Sequence, residues 1–397
     1  MRTFFNVWVI STVLLYYFGP IDWPGSSEPV VAVFIGACVL SFNLGYLSLV
    51  NPEAWRYSDY DVLGVLKKRS TGIGIMLAYS ALSLIYLQLV TGQSLISALA
   101  VGFDFTNVYI EYQRFVEGGV NIGLAGWLVS LLKAVIFPVA LVLVCKYYGR
   151  DWLILLLFFV PMVVFSLARG TDKETFDLVL ILGVVAFYHG FSTKSKLFLV
   201  MAVPVVLFLF MIRKYGRFGE TVSFVTEISP LIEFGYLMAI NYVTQGYEGL
   251  NMAFQLDIDF SYGLGHLPPI RSMTCGILGI GCELGSLADK LTANGWDMST
   301  KWATAYVALA NDLFWIFIPA YTFFLGWSLR LAEADWTSRK NPAALANIVL
   351  IGVFTLYSSA NMQLAISLDW ALATVFLLYG KALTVRTRRH RESPRVL

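Results

Sequence analysis

The sequence predicts an all-α, polytopic membrane protein of about ten transmembrane helices, with a large, partly helical loop on the outer face between helices seven and eight. Hydrophobic residues make up 58% of the chain and charged residues 14%, and the mean hydropathy is +0.69, which lies outside the range of ordinary soluble domains. Ten apolar runs are also long enough to cross a bilayer core, which takes about 17 to 25 residues. They cover residues 3–19, 29–50, 72–95, 120–145, 152–168, 176–192, 197–213, 303–330, 342–358 and 366–385.

The distribution of lysine and arginine predicts the orientation of these spans, because short basic loops resist translocation. Basic residues follow the even-numbered spans: Arg56, Lys67, Lys68 and Arg69; Lys146 and Arg150; Lys194 and Lys196; Arg330, Arg339 and Lys340. The tail TVRTRRHRESPRVL continues this pattern, whereas the loops at 20–28 and 359–365 contain no lysine or arginine. Both termini are therefore predicted to be cytoplasmic. The first span lacks a small-residue cleavage site and is expected to remain as an anchor.

This orientation divides the chain into three parts. The first is an N-terminal bundle of seven helices, 1–212, and the second is the outer loop, 213–302, which carries the predicted substrate site. Three C-terminal helices and a basic cytoplasmic tail make up the third, 303–397.

The outer loop opens with a concentration of positive charge, RKYGR, which contains Arg213, Lys214 and Arg217. The loop as a whole is not basic, since six basic residues face nine acidic ones. Arg169 lies where the fifth span emerges on the same side. A guanidinium group donates two parallel hydrogen bonds to phosphate oxygens, so these residues are predicted to bind an anionic substrate such as a lipid pyrophosphate. Snorkelling toward lipid headgroups is the alternative.

The rest of the outer loop combines an apolar rhythm with a segment rich in glycine and aromatic residues. The rhythm over 229–254 predicts helical segments on or in the membrane surface. The segment GYEGLNMAFQLDIDFSYGLGHLPPIRSM follows. Its glycines permit close approach to a ligand, and its tyrosines suit either sugars or an interfacial aromatic belt.

The cysteines and histidines indicate no metal centre. Cys38 and Cys145 lie in spans and are predicted to be packing residues. Cys275 and Cys282 lie in the outer loop, where an oxidising compartment permits a disulfide. His266 has no partner at ligand spacing.

The chain contains no tandem repeat, no phosphate-binding glycine loop and no nucleotide fingerprint. This weighs against an ATP-driven pump and against a transferase that uses nucleotide sugars. The basic tail is interpreted as a stop-transfer flank rather than a nucleic-acid site, and no cofactor is predicted.

Three segments resemble the Wzy-type oligosaccharide repeat unit polymerases, also called O-antigen polymerases. YVTQGYEGLNMAFQLDIDFSYGLGH, at 242–266, is similar to the glycine and aromatic segment of that family. WATAYVALANDLFW, at 302–315, resembles its W-x-T-x-Y segment with a downstream aspartate, and ARG at 168–170 resembles its outer Arg-Gly pair. Two features depart from the family: Glu248 replaces a tyrosine or other residue of many relatives, and the R-x10-G pattern is absent from the long loop.

The resemblance implies a glycosyl transfer, independent of metal and cofactor, on the periplasmic face of a bacterial inner membrane. A growing glycan would pass from undecaprenyl pyrophosphate to the non-reducing end of another lipid-linked repeat unit, with membrane lipids and a chain-length regulator as further partners. The reaction needs charge stabilisation of the leaving pyrophosphate and a base for the attacking hydroxyl.

The predicted catalytic residues are Arg169, Arg213, Arg217 and Glu248. Glu248 is chosen as the base over Glu220 and His266 because it lies in the most family-like segment; a solvated carboxylate or the partner of an arginine is its alternative interpretation. Asp312, two turns into the eighth span, is expected to be paired or to face a cavity. The predicted substrate-binding residues are Lys214, Glu220, Tyr247, Tyr262, His266, Arg271, Trp302, Tyr306 and Asp312.

Two other functions fit parts of the pattern. An O-antigen ligase would transfer the glycan to a lipid A core and would use a histidine of the outer loop, for which His266 is available. A flippase of lipid-linked oligosaccharides would carry basic residues along a central path. Lys133 is the one clear base in the middle of a span, so transport is disfavoured.

Overall fold

The structure is a computed structural model and describes residues 1–48, 68–91, 123–169, 173–190, 230–261, 275, 287–297, 301–360 and 367–379. Over these ranges the chain is helical, without strands. The α-helices are α1 (Arg2–Phe18), α2 (Val30–Leu47), α3 (Arg69–Thr91), α4 (Gly123–Tyr147), α5 (Trp152–Arg169), α6 (Lys173–His189), α7 (Pro230–Ala253), α8 (Leu287–Ala293), α9 (Ala305–Arg339), α10 (Pro342–Tyr357) and α11 (Leu368–Ala373). A π-helical turn, Thr374–Tyr379, follows α11, and a 3₁₀ turn, Pro24–Ser27, lies between α1 and α2.

The helices indicate a membrane-embedded, all-α protein. A helix lies at each predicted span except the seventh, 197–213, which is outside the described residues. Four of the described helices are long and apolar enough to cross a membrane: Val30–Leu47, Arg69–Thr91, Leu124–Tyr147 and Ala305–Arg339. Helix α7 confirms the helical structure predicted over 229–254, whereas the location of this segment on or in the membrane surface stays a prediction.

Helix α9 extends nine residues past the predicted end of the eighth span, so the basic segment that was expected to be a loop is helical as far as Arg339. The extension ends at Lys340, which adopts a left-handed conformation with φ of 52°. Asn341 then caps α10 by accepting a hydrogen bond from the Ala343 N–H at 3.0 Å. The charges did not end the helix, because an ion pair joins Arg339 to Asp335 one turn earlier.

The described chain forms two compact units. The first unit comprises Met1–Lys67 and Tyr242–Leu397, and the second comprises Lys68–Asn241. Helix α7 therefore contributes its first half to one unit and its second half to the other.

The first unit is centred on the parallel packing of α2 against α9. Contacts advance together along the two helices: the Phe34 ring lies 5.7 Å from the Trp315 ring, and the Thr322 hydroxyl donates to the Cys38 carbonyl at 3.0 Å. Farther along, Gly45 lies against the Phe323 carbonyl and Gly326 against the Phe42 carbonyl. Helix α1 packs antiparallel to α2, with Phe5 stacked on Phe42 at 3.8 Å.

In the second unit α3 is parallel to α5 and antiparallel to α4. Three rings, one from each helix, form an aromatic layer: Tyr79 lies 5.6 Å from Phe158 and 6.0 Å from Phe137. At one end of this bundle Arg69 donates to Asp151 at 2.5 Å. Asp151 precedes α5 and accepts a hydrogen bond from the Leu153 N–H at 3.2 Å.

Two cysteine predictions can be compared with this fold. Cys38 and Cys145 are buried and unpaired, which confirms their predicted packing role. Cys275 is disulfide-bonded, as an oxidising compartment permits, and Cys282 lies outside the described residues.

Candidate functional site

Four segments of the first unit meet around the second half of α7. They are the end of α1, the turn before α2, the residues that lead into α9, and the end of α10. The Ala305 N–H donates to the Ser358 carbonyl at 3.1 Å and joins the last two of these segments. We call this region the α7 pocket and define it by Tyr16, Gly25, Tyr247, Glu248, Asn251, Trp302, Tyr306 and Ser359.

The α7 pocket is organised by a polar face on α7. Thr244, Tyr247, Glu248 and Asn251 recur at the spacing that places residues on one side of a helix, and all four are buried. The Trp23 indole N–H donates to the Thr244 hydroxyl at 3.1 Å. The hydroxyls of Tyr247 and Thr12 lie 2.9 Å apart. This face therefore holds α1 and the 3₁₀ turn.

Glu248 is the acidic group of this face and is only 5% exposed. Its Oε2 accepts the Tyr16 hydroxyl at 2.8 Å and the Gly25 N–H at 3.0 Å, and its Oε1 lies 3.2 Å from the same N–H. Among the described residues no lysine or arginine contacts this carboxylate. In the described part of the chain Glu248 is thus buried beside uncharged donors, and Oε1 retains the greater free capacity to accept a hydrogen bond.

Gly25 is required at this position by space. A Cβ atom there would lie 2.7 Å from Glu248 Oε2 and would collide with the Asn251 side-chain amide. Pro24 opens the 3₁₀ turn, where its fixed φ and missing N–H cost nothing. The sequence Trp-Pro-Gly after α1 therefore delivers a backbone donor to a buried carboxylate, which a larger residue could not do.

The glycines of the GYEG motif lie on the opposite side of α7. Gly246 packs against the Ser359 carbonyl, and Gly249 packs against Trp296 and Ala303. The Trp296 indole N–H donates to the Trp302 carbonyl at 3.2 Å. Because the first glycine faces the end of α10 and the second faces the approach to α9, the motif allows α7 to pack closely between them.

Asn251 Oδ1 in the α7 pocket and Thr304 Oγ1, between Trp302 and Tyr306 in the chain, are buried oxygens with no hydrogen-bond partner in the described part of the chain. Asn251 is 5% exposed and Thr304 is fully buried. Unpaired buried polar atoms are costly and usually bind water, an ion or a ligand. Both oxygens therefore keep unused capacity to accept a hydrogen bond.

Helix α9 breaks close to the α7 pocket. Phe314 has φ of 50° and ψ of 164°, which interrupts the helix after its first turns. The backbone carbonyls just before the break therefore lack the N–H donors that the next helical turn would supply. The Asn311 carbonyl accepts instead from the Ser261 N–H at 3.0 Å, and Asp312 accepts from the Ser261 hydroxyl at 2.8 Å. Asp312 is therefore paired, as predicted.

The sequence-predicted site residues are distributed as follows. Tyr247, Glu248, Trp302 and Tyr306 belong to the α7 pocket, and the Tyr242 and Trp302 rings lie 4.5 Å apart. Arg169 is the last residue of α5 in the second unit, and its side chain is not described. Seven residues lie outside the described ranges: Arg213, Lys214, Arg217, Glu220, Tyr262, His266 and Arg271.

Sequence reasoning missed the residues that contact the polar face of α7, namely Thr12, Tyr16, Trp23 and Gly25. The spacing of the polar residues along 244–251 could have indicated a buried polar face. It could not have shown that the end of α1 covers that face, because the partners are more than 220 residues away in the sequence. In the described ranges no group of three metal-ligating side chains is present.

Comparisons with known proteins give no match to a family model, to a curated protein or to a solved structure. Any assignment of function therefore depends on the motifs and on the geometry of the site.

Proposed function

We propose that this protein is a membrane glycosyltransferase of the O-antigen polymerase type. It would span a bacterial inner membrane about ten times, with both termini cytoplasmic and the α7 pocket on the periplasmic side. It would transfer a growing glycan from undecaprenyl pyrophosphate to the non-reducing end of a second lipid-linked repeat unit, with no metal or nucleotide sugar.

One observation carries this proposal: two of the three family-like segments, 242–266 and 302–315, contact each other although the rest of the outer loop separates them in sequence. Tyr242 packs on Trp302, and Gly249 lies against Ala303. Motifs that share a chemical function are expected to converge in space, whereas chance similarities have no reason to do so. The contact supports a common site.

The chemistry of the α7 pocket agrees with an acceptor sugar. Aromatic rings offer flat faces, and the unpaired oxygens of Asn251 and Thr304 can accept hydrogen bonds from hydroxyls. The Glu248 carboxylate is fixed by Tyr16 and Gly25. In the proposed reaction Glu248 Oε1 takes the proton of the attacking hydroxyl while arginines, with Arg169, Arg213 and Arg217 as candidates, stabilise the departing pyrophosphate.

The test uses purified full-length protein in lipid nanodiscs with synthetic lipid-linked repeat units and a chelator. The expected product is a ladder of longer lipid-linked chains. Transfer of glycan only to an added lipid A core acceptor would assign the ligase function instead. Movement of intact substrate across the bilayer without any new glycosidic bond would assign a flippase.

A variant links the reaction to the site. Glu248→Gln keeps the size of the side chain and can still accept from Gly25, but it is a far weaker base, so the rate of chain extension should fall by roughly 10² to 10⁴-fold. Tyr17→Phe is the control, because Tyr17 donates to the exposed Glu28 carbonyl rather than to Glu248. A ladder of normal length and rate from Glu248→Gln would exclude the carboxylate as the base.

A further inference from the structure

Three helices of the first unit meet at one end, where α1 begins, α2 ends and α9 passes Arg330. Helix α1 is antiparallel to α2, and α2 is parallel to α9. Phe5 stacks on Phe42, and Gly45 lies against the Phe323 carbonyl, so these contacts fix the three helices at a common level. In the predicted orientation this is the cytoplasmic end of the unit.

Each of the three helices brings two polar side chains to this end, at a spacing that places them on one helix face. They are Arg2 and Asn6 on α1, Asn43 and Tyr46 on α2, and Arg330 and Glu333 on α9. We call these six residues the Tyr46 cluster. Five of them are half-buried and Arg330 is exposed, so a ligand can reach the cluster from outside the protein.

Arg2 is held at its Nε atom by an asparagine. Asn6 Nδ2 donates to Asn43 Oδ1 at 3.0 Å, and Asn43 Nδ2 donates to Asn6 Oδ1 at 2.8 Å. This reciprocal pair fixes both amide groups, and Asn43 Oδ1 also accepts from the Arg2 Nε–H at 2.7 Å. The other N–H groups of the Arg2 guanidinium make no hydrogen bond within the described chain, so they are available to a ligand.

Tyr46 lies beside both arginines of the cluster. The guanidinium carbon of Arg2 lies 5.3 Å from the Tyr46 ring centroid, and that of Arg330 lies 5.7 Å from it. An aromatic face attracts a cation without cancelling its charge. Two guanidinium groups from helices at opposite ends of the sequence therefore converge on one ring.

The carboxylate of the cluster is engaged by other groups. Glu333 Oε2 accepts the Tyr46 hydroxyl at 2.6 Å, and Glu333 Oε1 lies 3.3 Å from the amino group of Met1. Over the residues that the structure describes, no ion pair joins Arg2 or Arg330 to a carboxylate. The two guanidinium groups therefore give the cluster an excess of positive charge.

The contrast with Arg339, nine residues farther along α9, makes this excess specific. Arg339 forms an ion pair with Asp335 on its own helix. Arg330 has no such carboxylate, and it shares its aromatic neighbour with Arg2. Basic charge along this end of α9 is thus neutralised at one arginine and left available at the other.

The position of the two arginines agrees with the level of lipid phosphates. Arg2 directly precedes the first predicted span, 3–19, and Arg330 is the last residue of the eighth, 303–330. Beside them on α2, Leu44 is 53% and Leu47 is 57% exposed, in a helix that is long and apolar enough to cross a membrane. Exposed apolar side chains below a pair of cations match the acyl chains below a phosphate.

We infer that Arg2 and Arg330 together bind the phosphate group of an anionic phospholipid in the cytoplasmic leaflet. The planar guanidinium fork donates two parallel hydrogen bonds to phosphate oxygens, and Asn43 holds the Arg2 fork in place through its Nε–H. A free phosphate ion offers the same oxygens, but it would leave the exposed leucines uncovered. The site is separate from the α7 pocket, so it does not depend on glycosyl transfer.

The test measures binding of phosphatidylglycerol to delipidated, full-length protein by native mass spectrometry. The double variant Arg2→Gln, Arg330→Gln should weaken the tightest binding step at least about tenfold, the effect of one lost charged hydrogen bond. Arg150→Gln is the matched control, because it removes the same charge from an exposed position on the same predicted side. Equal affinities of the double variant and the wild type would overturn the inference.

A second variant separates lipid binding from an effect on folding. Arg330 is exposed, so Arg330→Gln alone should leave the protein folded. Phosphatidylglycerol should raise the melting temperature of the wild type and of Arg150→Gln by the same amount, and that of Arg330→Gln by clearly less. An equal increase in all three proteins would show that Arg330 has only a structural role.

A competition experiment identifies the source of the phosphate. A large excess of inorganic phosphate should leave phosphatidylglycerol bound to the wild type, because the ion cannot contact the exposed leucines. Displacement of the lipid by inorganic phosphate would assign the two arginines to a free ion and contradict the lipid site.

Discussion

Asp151 shows how one side chain combines two separable contacts. Its carboxylate accepts from the Leu153 N–H at the start of α5 and from the Arg69 guanidinium. The hydrogen bond from Arg69 is the main reason that the pKa of the Asp151 carboxyl is lower than its usual value. Because the pKa is lower in the folded than in the unfolded state, the pair stabilises the fold above the unfolded pKa, about 4, and this stabilisation is lost as the pH falls through the folded value.

Asparagine is as good a helix cap as aspartate, so Asp151→Asn should remove the ion pair and leave the cap. We expect the wild type to melt at a higher temperature than Asp151→Asn at pH 7. The difference should shrink as the pH falls below about 4 and disappear once the pH is below the lowered pKa of the folded state. Asp151→Ala should melt lowest at pH 7, since it loses the cap as well. Melting in detergent, followed by tryptophan fluorescence across this pH range, measures all three. A difference that persists unchanged in acid would show that the ion pair is not its source.

Glu248 shows the limit of residue-level prediction. Its motif and its place in a helix-forming segment singled it out from the sequence. Its burial and its donors did not follow from the motif, since Tyr16 and Gly25 belong to the first span and its flank. Contacts between residues that are far apart in the chain produce no local sequence pattern, so they cannot be predicted from one sequence.

At the scale of elements, the packing of α2 on α9 depends on two glycines that face each other's backbone. Gly45 and Gly326 each lie against a carbonyl of the opposite helix, and a Cβ atom at either position would collide with it. The close approach brings Cα–H groups to carbonyl oxygens, a contact that recurs at helix–helix interfaces.

Gly45→Ala should therefore destabilise the protein by about 1–3 kcal/mol, the range for an overpacked interior. Gly36→Ala is the matched control on the same helix, because a Cβ atom there meets no atom within 4 Å. Alanine is favoured over glycine in a helix by about 1 kcal/mol, so this control should be neutral or stabilising. Equal effects of Gly45→Ala and Gly36→Ala on the melting temperature would contradict the proposed close contact between α2 and α9.

Helix positions were the most predictable part of the fold. The starts of α5 and α10 coincide with the predicted spans, because apolar runs bounded by Asp151 or by Asn341 and Pro342 have clear limits. The C-terminal end of α9, at Arg339, was less predictable. Basic residues indicate where a segment leaves the membrane, but they do not indicate where its helix ends. Pro319 signals a disturbance of α9, because a proline removes the hydrogen bond to the carbonyl four residues earlier. The exact position of the break was not predictable, since the residue type of Phe314 does not favour a positive φ.

At the scale of the whole molecule, the predicted orientation places the turn before α2 outside the cell membrane and the end of α9 inside. Ser27 and Ser338 lie in these two places and are exposed. The native thiols Cys38 and Cys145 are buried, and Cys275 is in a disulfide, so these three should contribute little background.

In intact spheroplasts a membrane-impermeant maleimide should label Ser27→Cys, whereas Ser338→Cys should react only after the membrane is opened. The expected contrast is nearly complete labelling of the first variant and background labelling of the second, because a bilayer excludes the reagent. Labelling of Ser338→Cys from outside would reverse the orientation and place the α7 pocket on the cytoplasmic side.

The first unit combines the two ends of the chain, Met1–Lys67 and Tyr242–Leu397, so its halves are synthesised at different times. Helix α2 leaves the ribosome about 260 residues before α9, its main packing partner. At about 5–20 residues per second, synthesis of the intervening chain takes on the order of ten to fifty seconds. During that interval the face of α2 that contains Gly45 has no α9 to pack against. The nascent N-terminal helices therefore depend on lipid or on the insertion machinery to contact this face. A stalled or truncated chain would expose the same face.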